Sequence, residues 1–293
     1  MRIFRAEVLA RRALTPAMVR VTLGGPGLAG FASTGIADEY LRLFFPDPET
    51  GELVLPQMTP TGGWAYPAGK KPSHVATYTV RSVDRAAGSF DLDFVLHDGG
   101  RAASWAATAE PGDEIAVNAP LGICAVPGDA TWMLLACDAT GLPAASRLIE
   151  TIHPSIKVRL IAEIAEPAHR LPLPERDRLG VTWLEHSGNG IAPSHLLEAV
   201  QAVPLPGGPG YVWVAAEQRS VRPIRRYFRH QLRLPAERYS ATGYWTDRWS
   251  EWKAGWDGMD PALKARIEGA WASNRDRAEV ADEVDSILDR VGI

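Results

Sequence analysis

The sequence predicts an antiparallel β-barrel, then an α/β domain with an open parallel sheet, then a helical C-terminal tail. Short strands separated by glycine and proline turns fill the first part of the chain, as in small all-β barrels. From Trp132 onward, continuous apolar runs alternate with helical segments, which is typical of parallel strands covered on both faces. A chain of 293 residues with 46% hydrophobic content favours two cores over one. We therefore predict a barrel over residues 1–127, an α/β domain over 128–248 and a helical extension over 249–293.

The barrel strands are recognised by residues that alternate between apolar and polar. They are expected over residues 3–8, 18–23, 40–45, 74–81, 89–97 and within 111–122. The alternation places Tyr78 and Val80 on one face of their strand, and Thr79 and Arg81 on the other. A flat ring bound there could be covered by Tyr78 and hydrogen-bonded by Thr79, with its phosphate countered by Arg81.

The strand over 89–97 ends beside a glycine turn that opens a short helix near residues 99–106. Backbone N–H groups at a helix start bind pyrophosphate, and glycine lets the phosphate approach closely. Residues 56–73, rich in proline and glycine, are expected to form an exposed loop. Its Lys70 and Lys71 are either solvated charges or contacts to an anionic ligand.

The α/β strands are expected over residues 132–137, 157–164, 180–184 and 211–216. Cys137 ends the first of them and is interpreted as a packed small hydrophobe. A helix follows the last strand, and its arginines at 219, 222, 225 and 226 form either a solvated face or phosphate contacts. The tail should hold a helix starting at Asp260, another over 277–291, and one face of tryptophans.

Composition excludes several classes of function. The net charge is -4 with both signs interspersed, so no nucleic-acid surface is expected. Charged first residues and the lack of a long apolar run argue against a signal peptide or a membrane span, and predict a cytoplasmic protein. Two cysteines argue against a disulfide framework, a cysteine-rich metal site or an iron–sulfur cluster. Redox chemistry would therefore need an organic cofactor, and no acid–base triad is evident.

These motifs, in order along residues 1–248, resemble the siderophore-interacting protein family, flavin-containing ferric-siderophore reductases of the ferredoxin-NADP reductase superfamily. The matching segments are residues 78–81, a strand ending at His97, and residues 100–106, 119–122, 137–144, 215–217 and 243–246. The resemblance implies that NAD(P)H, or ferredoxin, reduces FAD, and that the reduced flavin passes electrons to chelated Fe(III). It implies no protein-bound metal and no catalytic side chain.

The resemblance also implies which residues contact each ligand. The FAD-binding residues would be Tyr78, Thr79, Val80, Arg81, Asp93, Val95, His97, Gly100, Arg101, Ala102, Ala103, Trp105, Asp138, Thr140 and Pro143. An anionic chelate would meet Lys70, Lys71, Arg248 and Lys253.

Several positions depart from the family pattern. Ala76 stands where the family has an arginine, and Arg101 stands where it has a proline. We expect Arg101 to supply from the helix side the charge that position 76 lacks. The other replacements are Ala103 for serine, Cys137 and Ala216 for glycine, Ala139 for glutamate, and Thr246 for arginine. Gly141 is expected to restore part of the space that the lost glycines provided.

A second hypothesis keeps the fold but not the redox reaction. So many altered cofactor positions are also typical of a family member recruited as a non-redox, flavin-free enzyme of small-molecule biosynthesis, or as a ligand-binding protein. Its organic substrate would occupy the cleft between the two predicted domains. A yellow colour of the pure protein would separate the two hypotheses.

Overall fold

A computed structural model describes residues 2–59, 64–275 and 277–293. The chain forms two compact units that are interleaved along the sequence. The first comprises Met1–Ala125, Leu142–Pro154 and Glu166–Asp177, and the second comprises Val126–Gly141, Ser155–Ala165 and Arg178–Ile293. The predicted domain boundaries at residues 127 and 248 therefore remain predictions.

The first unit contains the predicted antiparallel barrel, which the structure confirms. Its strands are β1 (Ile3–Thr15), β2 (Met18–Gly24), β3 (Tyr40–Phe45), β6 (His74–Asp84), β7 (Ser89–Val95) and β8 (Glu114–Asn118). They close in the order β1-β2-β7-β6-β3-β8. A small ladder of β4 (Gln57–Met58) and β5 (Trp64–Ala65) lies in the predicted loop, of which residues 60–63 fall outside the described residues.

Strand β1 is longer than the sequence predicted. The expected strand ended at residue 8, whereas β1 continues to Thr15 because its second half pairs with β2, Arg11 opposite Val21. Irregular pairing after Val8 disturbs the alternation that a sequence pattern relies on. The extension therefore depends on cross-strand pairing and not on local periodicity.

The barrel interior is apolar and is covered on one side by α1 (Arg101–Thr108). Val80, Leu92 and Phe94 are fully buried in it, as the alternation predicted. Ala102 and Ala106 of α1 belong to the same cluster, so this helix is held by packing of small side chains. A second helix of this unit, α2 (Leu142–Thr151), contacts β6.

The second unit is built on the predicted parallel sheet, also confirmed. Its strands are β9 (Trp132–Cys137), β10 (Lys157–Ile164), β11 (Leu179–Glu185), β12 (Gly210–Glu217) and β13 (Tyr239–Trp245). They run parallel in the order β11-β10-β9-β12-β13. Helices α3 (Leu196–Gln201) and α4 (Gln218–Arg226) pack in its core. Strand β13 was not predicted, because its serine, threonine and glycine interrupt the apolar run.

The C-terminal extension consists of α5 (Trp249–Gly258), α6 (Pro261–Ala272) and α7 (Arg277–Arg290). Asp260 caps α6, with its carboxylate accepting the Ala262 N–H at 2.8 Å, as the sequence predicted. Trp249, Trp252 and Trp256 stack on one face of α5, with ring centroids 4.9 and 5.6 Å apart. Across the described residues, no helix combines the length and the apolar character that crossing a bilayer requires.

Helix α7 docks on α4 through an acidic face. Asp285 lies 3.4 Å from Arg222 and 2.5 Å from Arg225, and all three side chains are buried. Asp289 accepts from Arg222 at 3.0 Å and pairs with Arg226. The expectation that these arginines form a solvated face or contact phosphates is therefore wrong for Arg222 and Arg225, because α7 neutralises them.

Candidate functional site

An aromatic group lies where α1 meets β6 and β7. The Tyr78 ring is 4.3 Å from the Phe94 ring, tilted by 37°. Trp105 of α1 packs edge-on against Phe45 at 5.4 Å and lies 5.9 Å from Phe94. Burial raises the pKa of the Tyr78 phenol, which therefore stays protonated at neutral pH. The structure thus brings together Tyr78 and Trp105, two of the residues predicted to contact a flavin.

The opposite face of β6 carries charges that already have partners. Both terminal nitrogens of Arg81 donate to the Glu150 carboxylate of α2, at 2.8 and 2.5 Å. The Arg81 Nε is buried, lies 4.0 Å from Asp93 and has no hydrogen-bond partner in the described part of the chain. Asp93 in turn accepts two hydrogen bonds from Arg20, at 2.6 and 2.8 Å. A phosphate would have to compete with Glu150 for Arg81.

Five other predicted residues of this region are buried or half-buried. Thr79 is buried beside Arg81 on the outer face of β6, and Val80 is buried inside the barrel. Val95 is half-buried at the end of β7, and Ala102 and Ala103 are buried in the first turn of α1. Burial leaves the side chains of Val80, Ala102 and Ala103 with a packing role, so a ligand would meet their backbone at most.

The start of α1 is a glycine turn open to solvent. Gly99 has φ +78° with no atom near its Cβ position, and Gly100 is the N-cap. A Cβ on Gly100 would lie 2.2 Å from the His97 ring, so only glycine lets this imidazole pack here. Because the N-cap is a glycine, no N-cap side chain accepts from the first N–H groups of the helix. His97 itself is exposed, with Nδ1 3.2 Å from the Asp98 carbonyl.

Arg101 stands at this helix start. Its side chain is 34% exposed, and its guanidinium lies 3.8 Å from Asp47, too far for a hydrogen bond. Lys71 lies 3.6 Å from the same carboxylate. Burial, and secondarily the charge of Arg101, lower the pKa of His74. Because His74 and Ala76 are two residues apart on β6, Arg101 acts on the side of the strand where Ala76 lies.

These features fit the phosphate groups of a dinucleotide flavin. The uncapped N–H groups of α1 and the Arg101 guanidinium can both donate hydrogen bonds to an anion. Neither has to break a hydrogen bond to a protein side chain first. Gly99 leaves open space on its side of the turn, whereas the His97 ring fills the space beside Gly100. The fit is better at this turn than at Arg81, whose terminal nitrogens are bound to Glu150.

In the second unit, Asp138 is a buried acceptor at the carboxyl end of β9. It accepts hydrogen bonds from the Thr140 N–H and hydroxyl, at 2.9 and 2.6 Å, and from the Glu217 N–H at 2.9 Å. The Trp245 indole donates to it at 2.6 Å. Burial raises the pKa of Asp138. Asp138 and Thr140 therefore lie together, whereas Pro143 is buried in α2 of the first unit.

The space beside Gly141, which was expected to be open for a ligand, is occupied by other residues of the protein. A Cβ on Gly141 would lie 2.6 Å from both the Ala215 carbonyl oxygen and the Cys137 Cβ. Gly141 therefore permits close packing on β12 and opens no room for a ligand, which corrects the expectation. Cys137 is fully buried, as interpreted from the sequence, and burial raises the pKa of its thiol.

The lysines and arginine predicted to meet a chelate are all exposed and paired. In the first unit, Lys70 donates to Glu52 at 2.9 Å. In the second unit, Arg248 precedes α5 with φ +48° and lies 3.2 Å from Glu251. Lys253 donates to Asp257 at 2.6 Å. Exposed ion pairs of this kind are weak, so another anion can replace the carboxylate.

Sequence reasoning missed the acidic partner of Arg81 and the basic partner of Asp93. Glu150 follows Arg81 by 69 positions, and no local pattern connects them. The Arg20–Asp93 pair could have been found, because these residues are directly opposite in the β2–β7 pairing. Within residues 2–59, 64–275 and 277–293 no group of three or more histidine, cysteine or acidic side chains could hold a metal ion.

Two family models match the chain in succession. Residues 7–124 match the siderophore-interacting FAD-binding domain, and residues 130–248 match the siderophore-interacting protein model. An NADPH-dependent ferric-chelate reductase of Escherichia coli is 31% identical over 241 residues, which cover 81% of this chain and 91% of the relative. The chain belongs to the siderophore-interacting protein family. The family resemblance seen in the sequence is thus confirmed, and residues 249–293 lie outside both models.

Solved structures agree with this membership of the siderophore-interacting protein family. A siderophore utilization protein from T. fusca is 33% identical, with a TM-score of 0.74 over 84% of this chain and 93% of that one. The ferredoxin reductase of carbazole 1,9a-dioxygenase has a TM-score of 0.57 over 83% of this chain and 70% of that one. At 17% identity the second likeness shows the fold alone, which is the predicted ferredoxin reductase-like fold.

Proposed function

We propose that this chain is an FAD-dependent ferric-siderophore reductase that takes electrons from NAD(P)H. The observation that carries the proposal is the open, uncapped start of α1 with Arg101 beside it, inside the segment that matches an FAD-binding domain. The E. coli relative, named as an NADPH-dependent ferric-chelate reductase, supports the reaction and the donor. Ferredoxin as an alternative donor, and a cytoplasmic location where reduced nicotinamide cofactors are available, belong to the same proposal.

Five of the predicted residues have a defined task in this proposal. The α1 N–H groups and Arg101 bind the phosphates of the flavin nucleotide, so Arg101 replaces the arginine that position 76 lacks. Tyr78 and Trp105 supply the aromatic surface for the ring system. Thr79 hydrogen-bonds the ring edge through its hydroxyl or backbone, and His97 lies against the same edge. FAD held by these residues would supply the redox chemistry, since a flavin can take two electrons from NAD(P)H and release them singly to Fe(III).

The iron chelate is the substrate. Hard oxygen ligands hold Fe(III) strongly and Fe(II) weakly, so reduction releases the metal. The exposed cations Lys70, Lys71, Arg248 and Lys253 are proposed to attract the anionic chelate, because their present carboxylate partners form only surface ion pairs with them. No proton has to be moved by a protein side chain in this scheme, which agrees with the lack of a predicted acid–base triad.

The reaction can be tested with an Fe(II)-specific chelator. Purified protein reconstituted with FAD should form Fe(II) from a ferric siderophore in the presence of NADPH or NADH, and omission of FAD should abolish the signal. Parallel reactions with reduced ferredoxin identify the donor. A chain that binds no FAD and reduces no ferric chelate would refute the proposal and favour the non-redox alternative.

A further inference from the structure

The carboxyl edge of the parallel sheet has few backbone donors left for a ligand. Open α/β sheets bind their ligands at this edge. Here the Ala139 N–H donates to the Asn189 side chain at 3.0 Å, and Asp138 accepts the Thr140 and Glu217 N–H groups, each at 2.9 Å. The Glu217 carboxylate accepts two more N–H groups at the start of α4, at 2.6 and 3.1 Å. A dinucleotide that bound through these amides would have to displace the protein's own acceptors.

What the edge offers is the ring of Trp245. This side chain is half-buried at the end of β13. Its indole Nε1 donates to Asp138 at 2.6 Å. Its far edge, at Cη2, lies 3.2 Å from where a Cβ of Gly190 would be. The ring is therefore fixed at two opposite edges, which sets the direction of its plane.

The contact at Gly190 is built into a constrained loop. Gly188, Asn189 and Gly190 have φ of +61°, +59° and +75°, three consecutive residues in the left-handed region. A Cβ on Gly188 would lie 2.3 Å from the Glu163 carboxylate, and Asn189 is hydrogen-bonded to Ala139. Because the loop is held from both sides, it forms a firm support for the edge of the Trp245 ring.

Asp138 supports the other edge. Its carboxylate is buried, and the indole is one of its four hydrogen-bond donors. A hydrogen bond to a buried carboxylate is stronger than one to a neutral acceptor. Asp138 is thus placed to orient the indole, whereas its own oxygens are too deep and too fully engaged to contact a ligand.

We propose that Trp245 is a stacking platform for a planar ring of the nicotinamide cofactor, and that Asp138 is its positioning residue. The inference rests on the proposed function, because it assumes NAD(P)H as donor. Stacking suits this edge because it needs a π-face and no backbone donor. The ring that stacks is either the nicotinamide or the adenine, and the two share the flat heteroaromatic face that the platform recognises.

The test measures cofactor binding directly by calorimetry on the FAD-loaded full chain. Trp245→Leu should weaken NADPH binding about tenfold, the size typical for loss of one base–aromatic stack. Trp245→Phe, which keeps a ring but loses the N–H, should weaken it less. The matched control is Trp271→Leu, since Trp271 is 42% exposed on α6, and its NADPH affinity should equal the wild-type value. Affinity for FAD should be unchanged in all three variants.

The positioning role of Asp138 is tested by a double-mutant cycle. Asp138→Asn should weaken NADPH binding in the wild-type background but add little to Trp245→Phe, because the indole N–H is then already missing. The KM for NADPH should rise in step with these affinities, and the KM for the ferric chelate should not. Titration with reduced nicotinamide mononucleotide and with 2′,5′-ADP then shows which ring loses affinity in Trp245→Leu.

Three outcomes would overturn parts of this inference. A Trp245→Leu affinity within twofold of wild type refutes the platform while leaving the reductase intact. Additive losses from Asp138→Asn and Trp245→Phe refute the positioning role alone. A wild-type chain that binds neither NADPH nor NADH refutes the nicotinamide donor of the proposed function and, with it, the platform.

Discussion

Replacing Arg101 by alanine is the most informative perturbation of the flavin site. The Arg101 side chain is 34% exposed and its acidic neighbour Asp47 is 3.8 Å away, so no hydrogen bond to Asp47 must break before the guanidinium contacts a phosphate. A hydrogen bond to a charged group contributes about 1.5–3 kcal/mol, and every 1.4 kcal/mol is tenfold in affinity. We therefore expect Arg101→Ala to raise the Kd for FAD roughly 10- to 100-fold.

The assay is a titration of flavin-free protein with FAD, followed by quenching of flavin fluorescence at low and moderate salt. The matched control is Arg85→Ala, an exposed arginine in the turn between β6 and β7, which should leave the Kd unchanged. Thermal unfolding should be the same for both variants, because neither removes a buried contact. Introducing Ala76→Arg into the Arg101→Ala chain should restore part of the affinity, since it returns a cation to the same side of β6.

A Kd for Arg101→Ala within twofold of wild type would refute the reasoning. It would mean that the phosphates are bound elsewhere, with Arg81 as the next candidate once it is released from Glu150. A large loss that Ala76→Arg fails to restore would keep Arg101 as a binding residue but reject the exchange between positions 76 and 101.

Three further predictions follow from charges that the structure pairs or buries. Glu150→Gln should lower the free energy of unfolding by about 1–3 kcal/mol in urea titrations, and tighten FAD binding by releasing Arg81; an unchanged FAD affinity would make Arg81 purely structural. Asp285→Ala leaves buried Arg225 without its acidic partner and removes one of the two acidic neighbours of buried Arg222. It should cost about 3–5 kcal/mol in denaturant unfolding, whereas the exposed Asp257→Ala should cost about 0.5 kcal/mol or less. Burial lowers the pKa of His74, so this histidine binds a proton more readily in the unfolded chain than in the folded one. The free energy of unfolding should therefore fall as the pH drops below about 6.5. His74→Gln should remove that part of the pH dependence, and a pH profile identical to wild type would contradict the prediction.

Local periodicity was enough to predict most of the fold. The strands around Val80 and Phe94 alternate cleanly, and the apolar run over 132–137 has the texture of a covered parallel strand. Strand β13 and the second half of β1 were missed because pairing with neighbours, rather than pattern, makes them strands. Context of this kind overrides local preference.

The site was predictable only in part, for a related reason. Residue types and turns indicated a ring surface at Tyr78 and an open helix start at Arg101, both of which depend on nearby sequence. The pairing of acidic with basic side chains depends on tertiary contacts. The Arg81–Glu150 pair and the acidic face of α7 therefore could not be predicted from the sequence. The filled space at Gly141 likewise depends on how closely β12 approaches.

The measurement that tests the central proposal most directly is an anaerobic absorption spectrum of the FAD-reconstituted protein. Reconstituted protein should show flavin bands that bleach when NADPH or NADH is added and return when a ferric siderophore follows. An Fe(II) chelator in the same cuvette should report release of the metal. Failure to take up flavin even after soaking would contradict the assignment as a ferric-siderophore reductase. So would flavin bands that do not change on addition of the nicotinamide cofactors, reduced ferredoxin or the ferric chelate.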